Sequence, residues 1–95
     1  MVAYMIARVN VTDMTQYQEY MKLTPAIVEA YGGKFIARGG DVLTLEGQGE
    51  TRRVILVEFP TRQDAENFYQ SDAYQAAIAV RKDAAEAQFI VLDGV

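Results

Sequence analysis

At 95 residues the chain has length for one domain, expected to span 1–95, and it carries a net charge of −4 with neither Cys nor His. The missing thiols and imidazoles rule out disulfides, thiolate metal sites, a histidine haem ligand and the commonest general base. The acidic balance argues against nucleic acid or an anionic membrane as partner, and no acidic cluster forms an all-carboxylate metal site, so no cofactor is expected.

Half of the residues (51%) are hydrophobic, a surplus for a domain that buries only roughly 60–65% of its unfolded surface. No basic segment precedes an apolar run at the N-terminus and no stretch reaches transmembrane length, so the expected address is the cytoplasm.

Ala3 to Val11 alternates as a strand. Asp13 offers an N-cap with Gln16 three residues on, and Met14, Tyr17, Tyr20, Met21, Ile27, Val28 and Tyr31 then recur at helical spacing. Pro25 clashes with a helix interior, so Thr24-Pro25 is expected to restart the helix as a kinked or two-piece element. Gly32-Gly33 ends it. Lys34 to Arg38 reads as a second strand, with Gly39-Gly40 as a bulge or bend before Val42 to Glu46 continues the ribbon. Gly47 to Glu50 is a turn, and Arg52 to Phe59 is a strand rich in β-branched residues. Thr61 caps a short helix with Asp64 three residues on, turning Ala65, Phe68 and Tyr69 inward. Ser71-Asp72 caps another, with Tyr74, Ala77, Ile78 and Arg81 on one stripe. Gln88 to Asp93 is the last strand.

The order βαββαβ implies an α+β, ferredoxin-like domain, with a four-stranded antiparallel sheet and its helices on one face. Such a sheet can leave its other face wet, and one parity of each strand is then polar. Here both are apolar. Met5, Ala7, Val9, Phe35, Ala37, Ile55, Val57, Phe59, Phe89 and Val91 are assigned to the helices. Tyr4, Ile6, Ile36, Val54, Leu56, Ile90 and Leu92 are left on the opposite face, together with Arg8, Arg38 and Glu58. A patch of that breadth marks an interface, and two such faces packed with two-fold symmetry give a dimeric α+β barrel.

Several segments also carry a resemblance. Val9-Asn10-Val11-Thr12-Asp13, Thr24-Pro25-Ala26, Tyr31-Gly32-Gly33-Lys34-Phe35 and Arg38-Gly39-Gly40 resemble the bacterial family called domain of unknown function thirteen-thirty. So do Leu45-Glu46-Gly47, Glu58-Phe59-Pro60, Phe68-Tyr69, Tyr74-Gln75-Ala76-Ala77 and Phe89-Ile90-Val91, so that the likeness covers the whole chain. It implies a dimeric α+β barrel and no particular chemistry. Relatives by fold include cofactor-free monooxygenases, an isomerase and haem-binding proteins, and the haem members' proximal histidine has no counterpart here. Any enzymatic activity would thus be of a cofactor-independent monooxygenase or isomerase kind.

Four side chains are candidates for binding a small anionic or enolisable molecule: Arg38, Glu58, Arg81 and Tyr69. Arg38 would grip a carboxylate or enolate oxygen while Glu58 orients it or acts as base; equally, the two would form an ion pair that fixes dimer register. Arg81 would close a cleft between helix and sheet over an anion, or else snorkel or cap its helix. Tyr69 would be a hydrogen-bond donor, or one more core aromatic. Two functions therefore stand open. One is a ligand-binding protein or cofactor-free enzyme; the other is a structural or regulatory homodimer whose charges satisfy one another.

Overall fold

The computed structural model describes residues 1–95. Its elements are β1 (Ala3–Val11), α1 (Met14–Ala30), β2 (Lys34–Arg38), β3 (Arg53–Phe59), α2 (Arg62–Gln70), α3 (Asp72–Arg81) and β4 (Ala85–Asp93). The sheet order is β2-β3-β1-β4 and every neighbouring pair is antiparallel. This is the ferredoxin-like α+β fold expected from the period changes along the chain. No helix is long and apolar enough to cross a membrane.

Alternation along the strands decides which residues meet the helices. Met5, Ala7 and Val9 of β1 and Ile55, Val57 and Phe59 of β3 are buried against Tyr17, Tyr20 and Val28 of α1, Phe68 of α2, and Tyr74 and Ala77 of α3. Phe59 and Tyr74 have no exposed surface at all. Truncating either ring in such a core typically costs about 3–5 kcal/mol. The opposite parity stays partly open: Tyr4, Ile6, Val54 and Leu56 are half-buried, while Ile36, Ile90 and Leu92 are 48%, 42% and 57% exposed.

The three helix starts follow the capping signals. Asp13 accepts from the Gln16 amide at 3.2 Å, Thr61 from the Asp64 amide at 3.1 Å and Ser71 from the Tyr74 amide at 3.1 Å. Ser71 also ends α2, so one residue serves two helices.

Three local expectations are corrected. First, α1 is one helix with Pro25 inside it, not two pieces. Proline leaves the carbonyl four residues back without its amide donor; that carbonyl, on Met21, instead accepts from Arg38 Nη2 at 2.8 Å and from the Thr24 hydroxyl at 3.4 Å. Thr24 thus bonds backwards rather than capping a new helix. Second, the bulge falls at Ile36, between Phe35 and Ala37, and not at Gly39-Gly40. Third, Val42 to Glu46 adds no strand. Gly39 has φ of 75°, a left-handed conformation that turns the chain out of the ladder directly after β2. β4 in turn starts three residues earlier than expected, because Ala85, Glu86 and Ala87 pair with Val11, Asn10 and Val9.

Candidate functional site

Arg81 lies seven residues after Tyr74 on the inward stripe of α3 and is only 7% exposed. Its guanidinium stands 5.2 Å from the ring centre of Tyr20 and 5.4 Å from that of Phe89, within cation–π range. Burial opposes its charge, but the Tyr74 hydroxyl and then the Tyr20 oxygen more than offset this, so its pKa moves up and it stays a cation. Its Nε is buried and meets no acceptor of the protein.

Around it lies a tyrosine cluster. The Tyr20 and Tyr74 hydroxyls are 2.6 Å apart, and Tyr17 packs on Tyr20 with ring centres at 5.3 Å. Burial, and next the neighbouring Tyr20, push the Tyr74 phenol far above its usual range. The same two causes raise Tyr17, while Arg53, Arg81 and Arg38 each pull it down. Three guanidiniums therefore converge on one group of neutral phenols. Every ion pair of the protein involves other cations: Arg8, Lys22, Lys34, Arg52 and Arg62. Arg38, Arg53 and Arg81 have no carboxylate within 4.0 Å. Of the three only Arg81 is buried, the others being half-buried, and a cation taken out of water without a counter-charge is costly unless an anion meets it.

Two spaces open beside this cluster. One is a cleft of about 470 Å³ between α2, α3 and β4, with Arg81 and Tyr69 in its lining, apolar walls from Ala65, Ile78, Phe89 and Val91, and the exposed Glu66 and Gln70 beside them. Tyr69 is half-buried, its ring 5.4 Å from Tyr74 and 5.8 Å from Phe89. The other is a smaller cavity of about 40 Å³ between α1 and the sheet, lined by Arg38, Arg53, Thr24 and the phenols as well as apolar side chains. Met5 and Phe89 line both spaces.

The four candidates therefore separate. Arg81 and Tyr69 come together in the larger cleft, and Arg38 faces the smaller cavity. Glu58 lies on the other side of the sheet, where its partner is Lys34 at 3.9 Å. Arg38 and Glu58 are not neighbours, contrary to the expected register: Glu58 stands opposite Lys34, at the other end of β2, and the extra residue at Ile36 further turns Arg38 to the helix side, opposite Ile55. There Arg38 donates to Met21 and, at 3.1 Å, to the Thr24 hydroxyl, and lies over the Phe35 ring at 4.5 Å. Arg8 does keep the far-face parity, paired with Glu50 at 3.1 Å.

Arg53 was not among the candidates, although its parity with Ile55, Val57 and Phe59 points it at the helices. Its guanidinium lies across Gly39, at the place where a Cβ would stand, and donates to the Arg38 carbonyl at 3.3 Å. Its Nε is buried without a protein acceptor, like that of Arg81. Glycine at 39 thus serves twice, for the backbone turn and for the arginine above it.

This arrangement can hold an organic anion by charge and by phenol hydrogen bonds. It supplies little acid–base chemistry, because Glu66 is the only carboxylate lining either space. No three acidic side chains converge as a metal site would need.

Comparison with solved structures shows the fold over nearly the whole chain. A protein of unknown function from Rhodopseudomonas palustris, RPA0582, superposes with a TM-score of 0.78 at 22% identity, covering 99% of this chain and 82% of the other. A dimeric ferredoxin-like protein of unknown function from Jannaschia sp. CCS1 gives 0.73 at 11% identity, with 99% and 100% covered. SnoaB, a cofactor-independent oxygenase from Streptomyces nogalater, gives 0.70 at 9% identity, with 99% and 93% covered. No curated protein matches the chain. The family model that matches, over residues 2–95, is Domain of unknown function (DUF1330), and the chain belongs to that family.

Proposed function

We propose that this protein is a homodimer that binds a small organic molecule with an acidic or enolisable group in the cleft between α2, α3 and β4. Arg81 is the anion anchor, Tyr69 donates a hydrogen bond to the ligand, and Phe89, Ile78 and Val91 cover its apolar body. The carrying observation is Arg81 itself: a 7%-exposed cation with a buried, unpartnered Nε and no carboxylate, lining a space of about 470 Å³. That volume falls within the usual range for ligand pockets.

An enolate would be stabilised by the same cation without metal or haem, since a preorganised charge acts strongly where water is excluded. The likeness in fold to a cofactor-independent oxygenase is compatible with such chemistry. With Glu66 the only carboxylate at hand, a substrate that ionises readily by itself suits the site better than one needing a strong side-chain base.

The reading as a non-catalytic homodimer draws support from the far face, where Arg8 pairs with Glu50 and Glu58 with Lys34. It gives no account of Arg81. The uncovered Ile36, Ile90 and Leu92, and the dimeric relative from Jannaschia, support self-association in either case.

The test is a thermal-shift screen of small aromatic and aliphatic carboxylates and enols against the wild type, Arg81→Gln and Tyr69→Phe. Binding should be abolished in the first variant and weakened several-fold in the second, which leaves the core ring in place. Ligands that bind all three proteins alike would refute the assignment.

A further inference from the structure

We propose that Arg53 and Arg38 form a second anion-binding point in the cavity under α1, so that the ligand carries acidic oxygens at both ends. This rests on the reading of the Arg81 cleft given above and specifies its ligand class as an amphipathic diacid or keto acid.

The two arginines are built into the cavity differently. Arg38 engages only Nη2, on the Met21 carbonyl and the Thr24 hydroxyl, both neutral acceptors. Arg53 engages one nitrogen on the Arg38 carbonyl and keeps its Nε buried without a protein acceptor. Each guanidinium has five N–H donors, so most of this capacity is free. Neither has a carboxylate within reach, in a chain that has 13 acidic residues to place. The half-buried cations are braced by neutral groups and have no counter-charge from the protein.

Size and connection complete the case. About 40 Å³ is room for roughly three water molecules, taking about 10–15 Å³ for each, which suits a carboxylate head but not a whole ligand. The rest of such a ligand has one place to go. Met5 and Phe89 are the side chains common to this cavity and the Arg81 cleft. Methionine is flexible, and a half-buried ring can change rotamer, so this partition can yield without backbone movement. A molecule reaching past Phe89 would then have Arg81 at one end, Arg53 and Arg38 at the other, and the rings of Tyr20 and Tyr74 beside its middle.

The experiment titrates the wild-type protein with linear α,ω-dicarboxylates from succinate to suberate and with monocarboxylates of matched length. It reads affinity by calorimetry and the Nε–Hε resonances of Arg53 and Arg81 by NMR. At one chain length the diacid should bind at least tenfold more tightly than its monoacid and shift both resonances. Arg53→Gln should remove that advantage, so that the diacid binds no more tightly than its matched monoacid. Diacids that never exceed the matched monoacids, with only Arg81 shifting, would overturn the second anchor and leave the Arg81 cleft standing. No shift at either arginine with any acid would overturn both. Should Arg53→Gln fail to fold, the two wild-type resonances still decide between these outcomes.

Discussion

The tie between Arg38 and the Met21 carbonyl gives a prediction whose size depends on a single missing hydrogen. Pro25 has no amide proton, so within α1 the carbonyl of Met21 depends on side chains. Arg38→Ala removes the 2.8 Å bond to it, the 3.1 Å bond to Thr24 and the stacking on Phe35. Hydrogen bonds involving a charged donor are worth about 1.5–3 kcal/mol, and the Met21 carbonyl would keep only the long 3.4 Å bond from the Thr24 hydroxyl. Because Arg38 is half-exposed, we expect a loss near the low end, about 2 kcal/mol. Pro25→Ala restores an amide four residues after Met21. In that background the carbonyl is bonded within the helix, and Arg38→Ala should cost only about 1 kcal/mol. The four proteins form a double-mutant cycle, read by urea unfolding at one protein concentration because dimer stability varies with it. A coupling of about 1 kcal/mol stands clear of the ~0.3–0.5 kcal/mol found for independent sites. If the two substitutions are additive within that margin, Arg38 does not act through the proline-freed carbonyl.

Gly39→Ala would place a methyl group where the Arg53 guanidinium lies and strain a left-handed backbone, so it should cost about 1–3 kcal/mol by urea unfolding. Leu92→Asp puts a charge on the far sheet face. Burying the 57% of that side chain now exposed is worth about 1 kcal/mol per protomer, hence about 2 per dimer, so sedimentation should show association weakened at least ~30-fold. Tyr20→Phe leaves the fully buried Tyr74 hydroxyl without its partner and should cost about 1–3 kcal/mol, whereas replacing both tyrosines by Phe should cost less than the two single changes summed. Hydrogen bonds from Arg52 hold the Glu50 carboxyl down at about 2, against an ordinary value of 4.5. Its folded-state pKa is lowered, so its contribution to stability is present above about pH 4.5 and is lost as pH falls toward 2. Glu50→Gln should flatten that part of the acid-unfolding curve.

What could be read from the sequence was what depends on period, and what escaped depends on a single inserted residue. Capping residues and hydrophobic alternation act locally, so Asp13, Thr61, Ser71 and the two faces of β1 and β3 fell where their neighbours required. Pro25 does not divide α1 in two because its cost is met by Arg38, a residue on another element, which no local rule contains. The bulge at Ile36 matters more. In a strand of period two, one extra residue sends every later side chain through the sheet. It thereby took Arg38 off the far face that Glu58 occupies and set it beside Arg53, while the pairing of Lys34 with Glu58 already kept the two apart along the ladder. Arg53 needed no such correction: it shares the phase of Ile55 and Val57, and a cation on a strand's buried face is already a question about what meets it. Its neighbour Arg52, one residue earlier and just outside the strand, finds Glu50 at 3.0 Å. Two adjacent arginines thus divide at the start of the strand, Arg52 answered by Glu50 within the preceding loop and Arg53 left facing the cavity.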